Sequence, residues 1–410
     1  MEELHAPGKA AVDAAGLVLS RLSGHTAAGT DAAAFVDAAT GGSLTFSALR
    51  RGALSLASGL RLGLGLRRGD AVLVMSRNSL LLPQILLGVL AAGGVVVVAA
   101  DPDNAEVAAA TAAAATGAVM VVADPEAAAK VAGAGVPLLL TSRSPDPRAL
   151  SAEELIDGGD PTAFLQQQPA PAPTDLAFLA YSSTASRTVA MTHADLAGAV
   201  AAACLPPPDD GRRVCLSSLP MCSVHGLPLV ALGLPAAGVT TVLVAPPSDA
   251  RAAREAVAAH GATDVVAAPE AAAALAGAMP LDGNLSSLRR VVVAPTAFTS
   301  EVRMEFRRRL PWVDLTELSG TEIMEAPDHA AAELGGGLML TQTEAAGGIV
   351  QQNNSQSAEQ MSATNEAASP VPPLKKIQKI ISGHIFSRST TSKILRKHPV
   401  TGNTQAVSKL

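Results

Sequence analysis

Aromatic side chains are nearly missing from this chain: 410 residues contain one Trp, one Tyr and seven Phe. A core of ordinary size must then be filled by Ala, Val and Leu. The alanine runs at 108–110 and 112–115 favour helix but bury little area per residue. The composition therefore predicts a correctly ordered but loosely filled interior. Cysteine is scarce too: Cys204, Cys215 and Cys222 are odd in number and show no CxxC spacing, which excludes a disulfide framework or a zinc site and points to a reduced compartment. The eight histidines are scattered and form no ligand cluster. Excess positive charge is absent: a net charge of −6 and a pI near 5.8 exclude a general nucleic-acid binder. The opening MEELHAPGKAAVDAAG lacks a secretory apolar core. The longest hydrophobic run, 85–100, is split by Gly93-Gly94 into a helix-like ILLGVLAA and a valine run, so it reads as buried helix then buried strand and not as a membrane span.

What is present is alternation. Apolar strand candidates at 71–75, 95–98, 119–122, 176–180, 214–219, 239–244, 265–267 and 291–294 are separated by Ala-rich helix candidates. This pattern predicts an α/β fold with parallel-rich sheets flanked by helices. Pro/Gly clusters at 205–211 and 245–247 read as surface turns. Residues 1–42 are read as a lead-in and 43–330 as one large domain. Residues 331–370 are polar and Gln/Asn/Ser-rich, which predicts a disordered linker unable to offset its ordering entropy. From 371 to 410 lysine becomes common, whereas the body carries its positive charge almost wholly as Arg. This last stretch is too short for an independent core.

Within the body, YSSTASRTVAMTH at 181–193 follows an apolar strand and precedes a helix start at Ala194. Hydroxyls and free N–H groups in a strand-to-helix loop, with the helix dipole behind them, suit an anionic phosphate. Such loops also serve as plain links and caps.

Several stretches then fall in one order. They are LTFSALRRGALSLASGL, RRGDAVLVMSRNSLLLPQILLGVLAAGG, DPDNAEV, the 181–193 stretch, LSSLPMCSVHGL, NLSSLRRVVVAPTAF and LTELSGTEIME, with VPPLKKIQKI and FSRSTTSKILRK in the tail. Together they resemble the adenylate-forming acyl-CoA ligases, most closely the 4-coumarate:CoA ligase-like branch. The resemblance implies a large N-terminal adenylating domain and, at 371–410, a remnant of the small C-terminal α+β lid domain. It implies ATP, Mg²⁺ and coenzyme A as co-reactants and a small carboxylic acid, of the hydroxycinnamate or fatty acid class, as substrate.

Position by position, the resemblance implies that Ser182, Ser183, Thr184, Arg187 and Thr321 contact phosphate and that Ala294, Thr316 and Glu317 lie on the nucleotide side. It implies Glu322 as the Mg²⁺ ligand, a hard-cation carboxylate. Ser223 stands where the family carries a pocket histidine. His225, two positions on, reads equally as a ligand-facing group or a structural histidine. Lys393 matches the lid's catalytic lysine, and an isolated lysine in a basic tail also reads as simply solvated. The chain departs from the pattern between Ser183 and Thr192, which hold neither glycine nor lysine, and in the interval from Glu322 to Lys393, where the family's hinge and most of its lid are replaced by the polar linker. A lysine without its lid loses pre-orientation, a term that reaches roughly 7–11 kcal/mol. An inactive remnant or binding scaffold is therefore the alternative reading. The closing Ser408-Lys409-Leu410 matches the tripeptide read by the peroxisomal import receptor, which predicts a peroxisomal destination unless the match is coincidental.

Overall fold

The valine runs explain the two sheets that dominate this computed structural model, which describes residues 13–26, 31–99, 105–131, 135–162, 164, 171–182, 187–203, 213–245, 250–277 and 285–318. β-Branched residues are stiff at χ1 and pack well on a pleated surface. Strands buried on both faces read as continuous apolar runs, as VVVV does.

One sheet has seven strands in the order β13-β12-β11-β9-β10-β1-β2. These are β1 (Ala33–Asp37), β2 (Ser43–Thr45), β9 (Val214–Ser217), β10 (Thr240–Leu243), β11 (Asp264–Ala267), β12 (Arg290–Val293) and β13 (Asp314–Glu317). All neighbours are parallel except β2, which runs antiparallel to β1. The other sheet has the order β6-β5-β3-β4-β7-β8. It comprises β3 (Ala71–Met75), β4 (Val95–Ala99), β5 (Met120–Ala123), β6 (Leu138–Leu140), β7 (Leu176–Ser182) and β8 (Arg187–Thr192), with only β7 and β8 antiparallel. The helices are α1 (Ala14–Thr26), α2 (Phe46–Ser58), α3 (Leu82–Ala91), α4 (Ala105–Thr116), α5 (Ala152–Gly158), α6 (His193–Ala203), α7 (Ala250–His260), α8 (Pro269–Gly277) and α9 (Ser300–Arg309), together with short one-turn pieces. Two helical stretches, Gly59–Gly63 and Leu227–Gly233, are wound as π-helix.

The largest core joins the inner faces of both sheets. Phe35, Cys215, Leu243, Val266 and Val292 come from one, and Val72, Val96 and Phe178 from the other. Between them lie α1, α2, α3, α6 and the 227–236 segment. A second core packs the outer face of the seven-stranded sheet on α7, α8 and α9, and a third packs the outer face of the six-stranded sheet on α4. The layers therefore alternate helices, sheet, helices, sheet, helices. Close helix packing in the middle layer needs glycine: a Cβ on Gly88 would sit 2.8 Å from Leu56 Cδ2 and 3.1 Å from the Ala53 carbonyl.

The α/β reading and its strand positions agree with this architecture to within a residue or two. Three findings go beyond it. The lead-in supplies α1 and β1, and β1 lies inside the seven-stranded sheet between β10 and β2. Short strands such as β2, β6 and β13 carry too little apolar sequence to stand out. The 181–193 stretch is not a strand-to-helix loop. β7 and β8 form a hairpin, with Leu176 opposite Thr192 and Ser182 opposite Arg187, because Thr188, Val189 and Met191 form ladder pairs with β7. The linker at 331–370 and the lid remnant at 371–410 lie outside the described residues.

If β1 belongs to the core, Phe35→Ala should lower unfolding free energy by about 3–5 kcal/mol in urea titration, as for other fully buried Phe. Truncating the half-exposed Trp312 should cost far less.

Candidate functional site

The carboxyl ends of parallel strands are where an α/β sheet leaves backbone and side chains free for ligands. Both sheets place predicted site residues there. Ser182 ends β7, and Arg187 pairs with it across the hairpin. On the other sheet, Ala294 follows β12, while Thr316 and Glu317 close β13. The register sets Val292 opposite Thr316 and Val293 opposite Glu317, so these positions share one edge. Ser223 and His225 lie on the segment that leaves β9.

Asn78 joins the two edges. It follows β3, donates its side-chain amide to the Leu219 carbonyl at 2.8 Å and accepts from Met221 N–H at 2.9 Å. The 219–226 segment is thereby held against the six-stranded sheet. Its own turn is tight: the Ser223 hydroxyl donates to the Pro220 carbonyl at 2.7 Å and accepts from Gly226 N–H at 2.9 Å. A Cβ on Gly226 would fall 1.8 Å from the Pro220 oxygen, so only glycine fits. Ser223 is thus engaged within its turn. His225 is half-buried, makes no side-chain hydrogen bond among the described residues, and is held below the usual histidine pKa by burial. A neutral imidazole there can accept or donate one hydrogen bond to a ligand.

Asp124, at the end of β5, seals the β3 edge. Its carboxylate accepts from Ser76 Oγ at 2.7 Å, Thr141 Oγ1 at 2.9 Å and Arg77 N–H at 2.9 Å. Nearby, burial pushes the Cys222 thiol up to about 12, which leaves it protonated and unreactive at neutral pH. Glu317 is also engaged: it accepts from Phe298 N–H at 2.8 Å and from Arg303 Nε at 2.7 Å, tying the end of β13 to the turn after β12.

Helix α6 does not stand behind the Ser182–Arg187 end of the hairpin. It starts where β8 returns to the amino end of β7, roughly 17–20 Å from the turn at 3.4 Å per residue. Its first N–H groups are already used: His193 N donates to the Asp175 carbonyl at 2.8 Å and Ala194 N to the Pro173 carbonyl at 2.8 Å. Thr192 and Asp195 complete a reciprocal cap, with Asp195 N–H on Thr192 Oγ1 at 3.2 Å and Thr192 N–H on Asp195 Oδ2 at 3.0 Å. Thr192 is therefore a helix cap, and the first N–H groups of the helix are spent on backbone carbonyls and this cap. Arg68 pairs with Asp175 and holds its carboxyl below the usual carboxylate range. His193 is fully buried and neither ring nitrogen has a partner in the described structure. Burial lowers its pKa, against the opposing pull of Asp13 and Asp175.

Sequence reasoning gave Asn78 and Asp124 no role. The available signal was position, a polar residue just past a buried strand. Ser183, Thr184, Thr321, Glu322, Lys393 and Ser408-Lys409-Leu410 lie outside the described residues. Among the described residues, no group of three or more His, Cys, Asp or Glu could hold a metal ion, and no helix is long and apolar enough to cross a membrane.

A sequence profile described as AMP-binding enzyme matches residues 24–346. The chain belongs to the AMP-binding enzyme family. Within it, the branch is that of the 4-coumarate–CoA ligase-like proteins: "4-coumarate--CoA ligase-like 3" of Oryza sativa subsp. japonica is 29% identical over 307 residues, covering 69% of this chain and 52% of that protein. "Peroxisomal OPC-8:0-CoA ligase 1" of Arabidopsis thaliana is 27% identical over 302 residues, covering 69% of this chain and 53% of that protein. The chain spans about half the length of these curated relatives. The same fold occurs in a benzoate CoA ligase from Burkholderia xenovorans LB400, with a TM-score of 0.62 at 23% identity over 74% of this chain and 60% of that one. The two-sheet architecture of this AMP-binding domain is thus the adenylating domain expected from the motifs.

Two outcomes test the site's construction. Asn78→Ala should remove both anchors of the 219–226 segment, costing about 1–3 kcal/mol, and should speed amide exchange at Met221. For His193, the folded pKa lies below the ordinary 6.5. The unfolded chain therefore takes up the proton first as pH falls, and stability is lost from about pH 6.5 downward toward the folded pKa. His193→Leu should flatten that loss between roughly pH 7 and 5, read as urea midpoints at fixed salt.

Proposed function

We propose that this AMP-binding family protein activates a small carboxylic acid with ATP and passes the acyl group to coenzyme A. The observation that supports the reading most is the placement of Ser182, Arg187, Ala294 and Thr316 at carboxyl-edge strand ends, with His225 on the 219–226 segment through which Asn78 joins the two edges. In this proposal the 183–186 turn, with Ser182 and Arg187 at its base, faces the phosphates. Ala294, Thr316 and Glu317 border the base, and Thr321 is assigned to the phosphates. Ser223 and His225 border the acid, whose class is a hydroxycinnamate or a fatty acid. Glu322 is assigned to Mg²⁺, which would neutralise phosphate charge when bound. Lys393 is assigned to orient the carboxylate against the α-phosphate. Cationic and N–H donors matter here because charge develops on phosphate oxygens during transfer. A peroxisomal destination, through an import receptor that reads Ser408, Lys409 and Leu410, belongs to the same proposal, and one relative carries that compartment in its name.

A second reading, a binding scaffold without catalysis, is favoured by a specific observation. Only four residues, Ser183-Thr184-Ala185-Ser186, join β7 to β8, and none is glycine or lysine. Backbone approach to phosphate is sterically harder without glycine, and one guanidinium at Arg187 does not replace a mobile ammonium.

Acid-dependent ATP–pyrophosphate exchange separates the two. With a panel of hydroxycinnamates and fatty acids, the ligase reading expects exchange that Thr321→Ala or Arg187→Ala lowers about 10²–10³-fold, the usual effect of one lost oxyanion donor. No exchange with any acid, together with Mg-ATP binding that neither Thr321→Ala nor Glu322→Ala weakens in calorimetry, would establish the scaffold.

A further inference from the structure

Alanine leaves a chamber in the second core. Between the outer face of the seven-stranded sheet and helices α7 and α8 lies a cavity of about 250 Å³. Its floor is Leu216, Val265 and Ala267; its roof is Ala253, Ala256 and Leu275. Methyl groups stand on both helices where a longer side chain would fill the space. The cavity reaches the surface beside Ala39, Ala245 and Ala252, which are exposed. Among the described residues no charged side chain lines it, and the Ser218 hydroxyl, which makes no hydrogen bond among them, is the one polar side-chain group in the lining.

Its place in the topology is not arbitrary. After β9 the chain crosses to the inner face through 227–236 and reaches β10; after β11 it crosses the outer face through α8 to β12. β9 and β11 are neighbours, so their outgoing connections part to opposite faces of the sheet. Such a switch point opens a crevice at the carboxyl ends of the strands. Ser218 and Ala267, at the ends of β9 and β11, both line the cavity.

We infer that this alanine-walled cavity, on the outer face of the seven-stranded sheet against α7 and α8, is a binding site for neutral single-ring aromatic molecules. An apolar cavity of roughly 150 Å³ already takes up benzene instead of water. The chamber here has room for one ring with a short alkyl chain. A phenolic O–H can donate to Ser218 Oγ, while a carboxylate or phosphate finds no cation in the wall. The proposed acid activation neither requires this site nor implies it.

Calorimetry and thermal shift on the full chain test the inference with two probes, ethylbenzene and 4-ethylphenol. Both should bind saturably at one site and raise Tm. Ser218→Ala should weaken 4-ethylphenol about 5–10-fold, one neutral hydrogen bond, and leave ethylbenzene unchanged. Ala256→Leu should abolish binding of both, and Ala271→Leu serves the same purpose should the first variant not melt cooperatively. Absence of saturable binding by either probe would overturn the inference. So would equal binding to a folded, cavity-filled variant.

Discussion

Two parallel-rich sheets in this chain share one apolar layer, and most of the remaining structure depends on that sharing. Each sheet has an inner face of Val, Phe and Ala that must leave water, and both bury it on the same helices, α1 to α3, α6 and the 227–236 segment. The hydrophobic effect is non-directional, so burial alone would allow the sheets to slide. The Asn78 amide opposes sliding because it holds a donor and an acceptor of the 219–226 segment at once. Breaking either bond would leave a backbone group short of a partner in a half-buried setting. The carboxyl edges of the two sheets are thereby kept in register, and a site assembled from both becomes geometrically possible.

Pairing also decides what each end of the 176–192 hairpin does. Antiparallel closure sends the chain back along β7, so the turn and the start of α6 fall at opposite ends of the strand. The dipole and free N–H groups of α6 are consumed by Asp175, Pro173 and the Thr192–Asp195 cap. Helix α6 therefore puts no macrodipole behind the Ser182–Arg187 end of the hairpin.

The low aromatic content has a structural counterpart. Ala and Val fill the inner layer well because five elements converge there and Phe35 and Phe178 occupy its centre. The outer layer between α7, α8 and the sheet has helices faced mainly with alanine, and close packing fails locally. A methyl group cannot span the distance that sheet and helix backbones keep. Loose filling is seen in this outer layer.

The sequence by itself determined the alternation of buried strands and Ala-rich helices and the family motifs with their order. Local pattern carries these because periodicity and composition are properties of adjacent residues. The resemblance, carried over position by position, also singled out Ser182, Ala294 and Thr316, which end or follow strands in the structure. Tertiary structure alone decided that β1 enters the sheet beside β10, that 181–193 is a hairpin, that Glu317 is tied to Arg303 and that Thr192 is a cap. Each of these turns on which partner a group meets across tens or hundreds of residues, as Phe35 meets Thr241 in register and Asn78 meets Met221. Hydrogen-bonding capacity is written in the residue type; the partner that satisfies it is chosen only when the chain has packed.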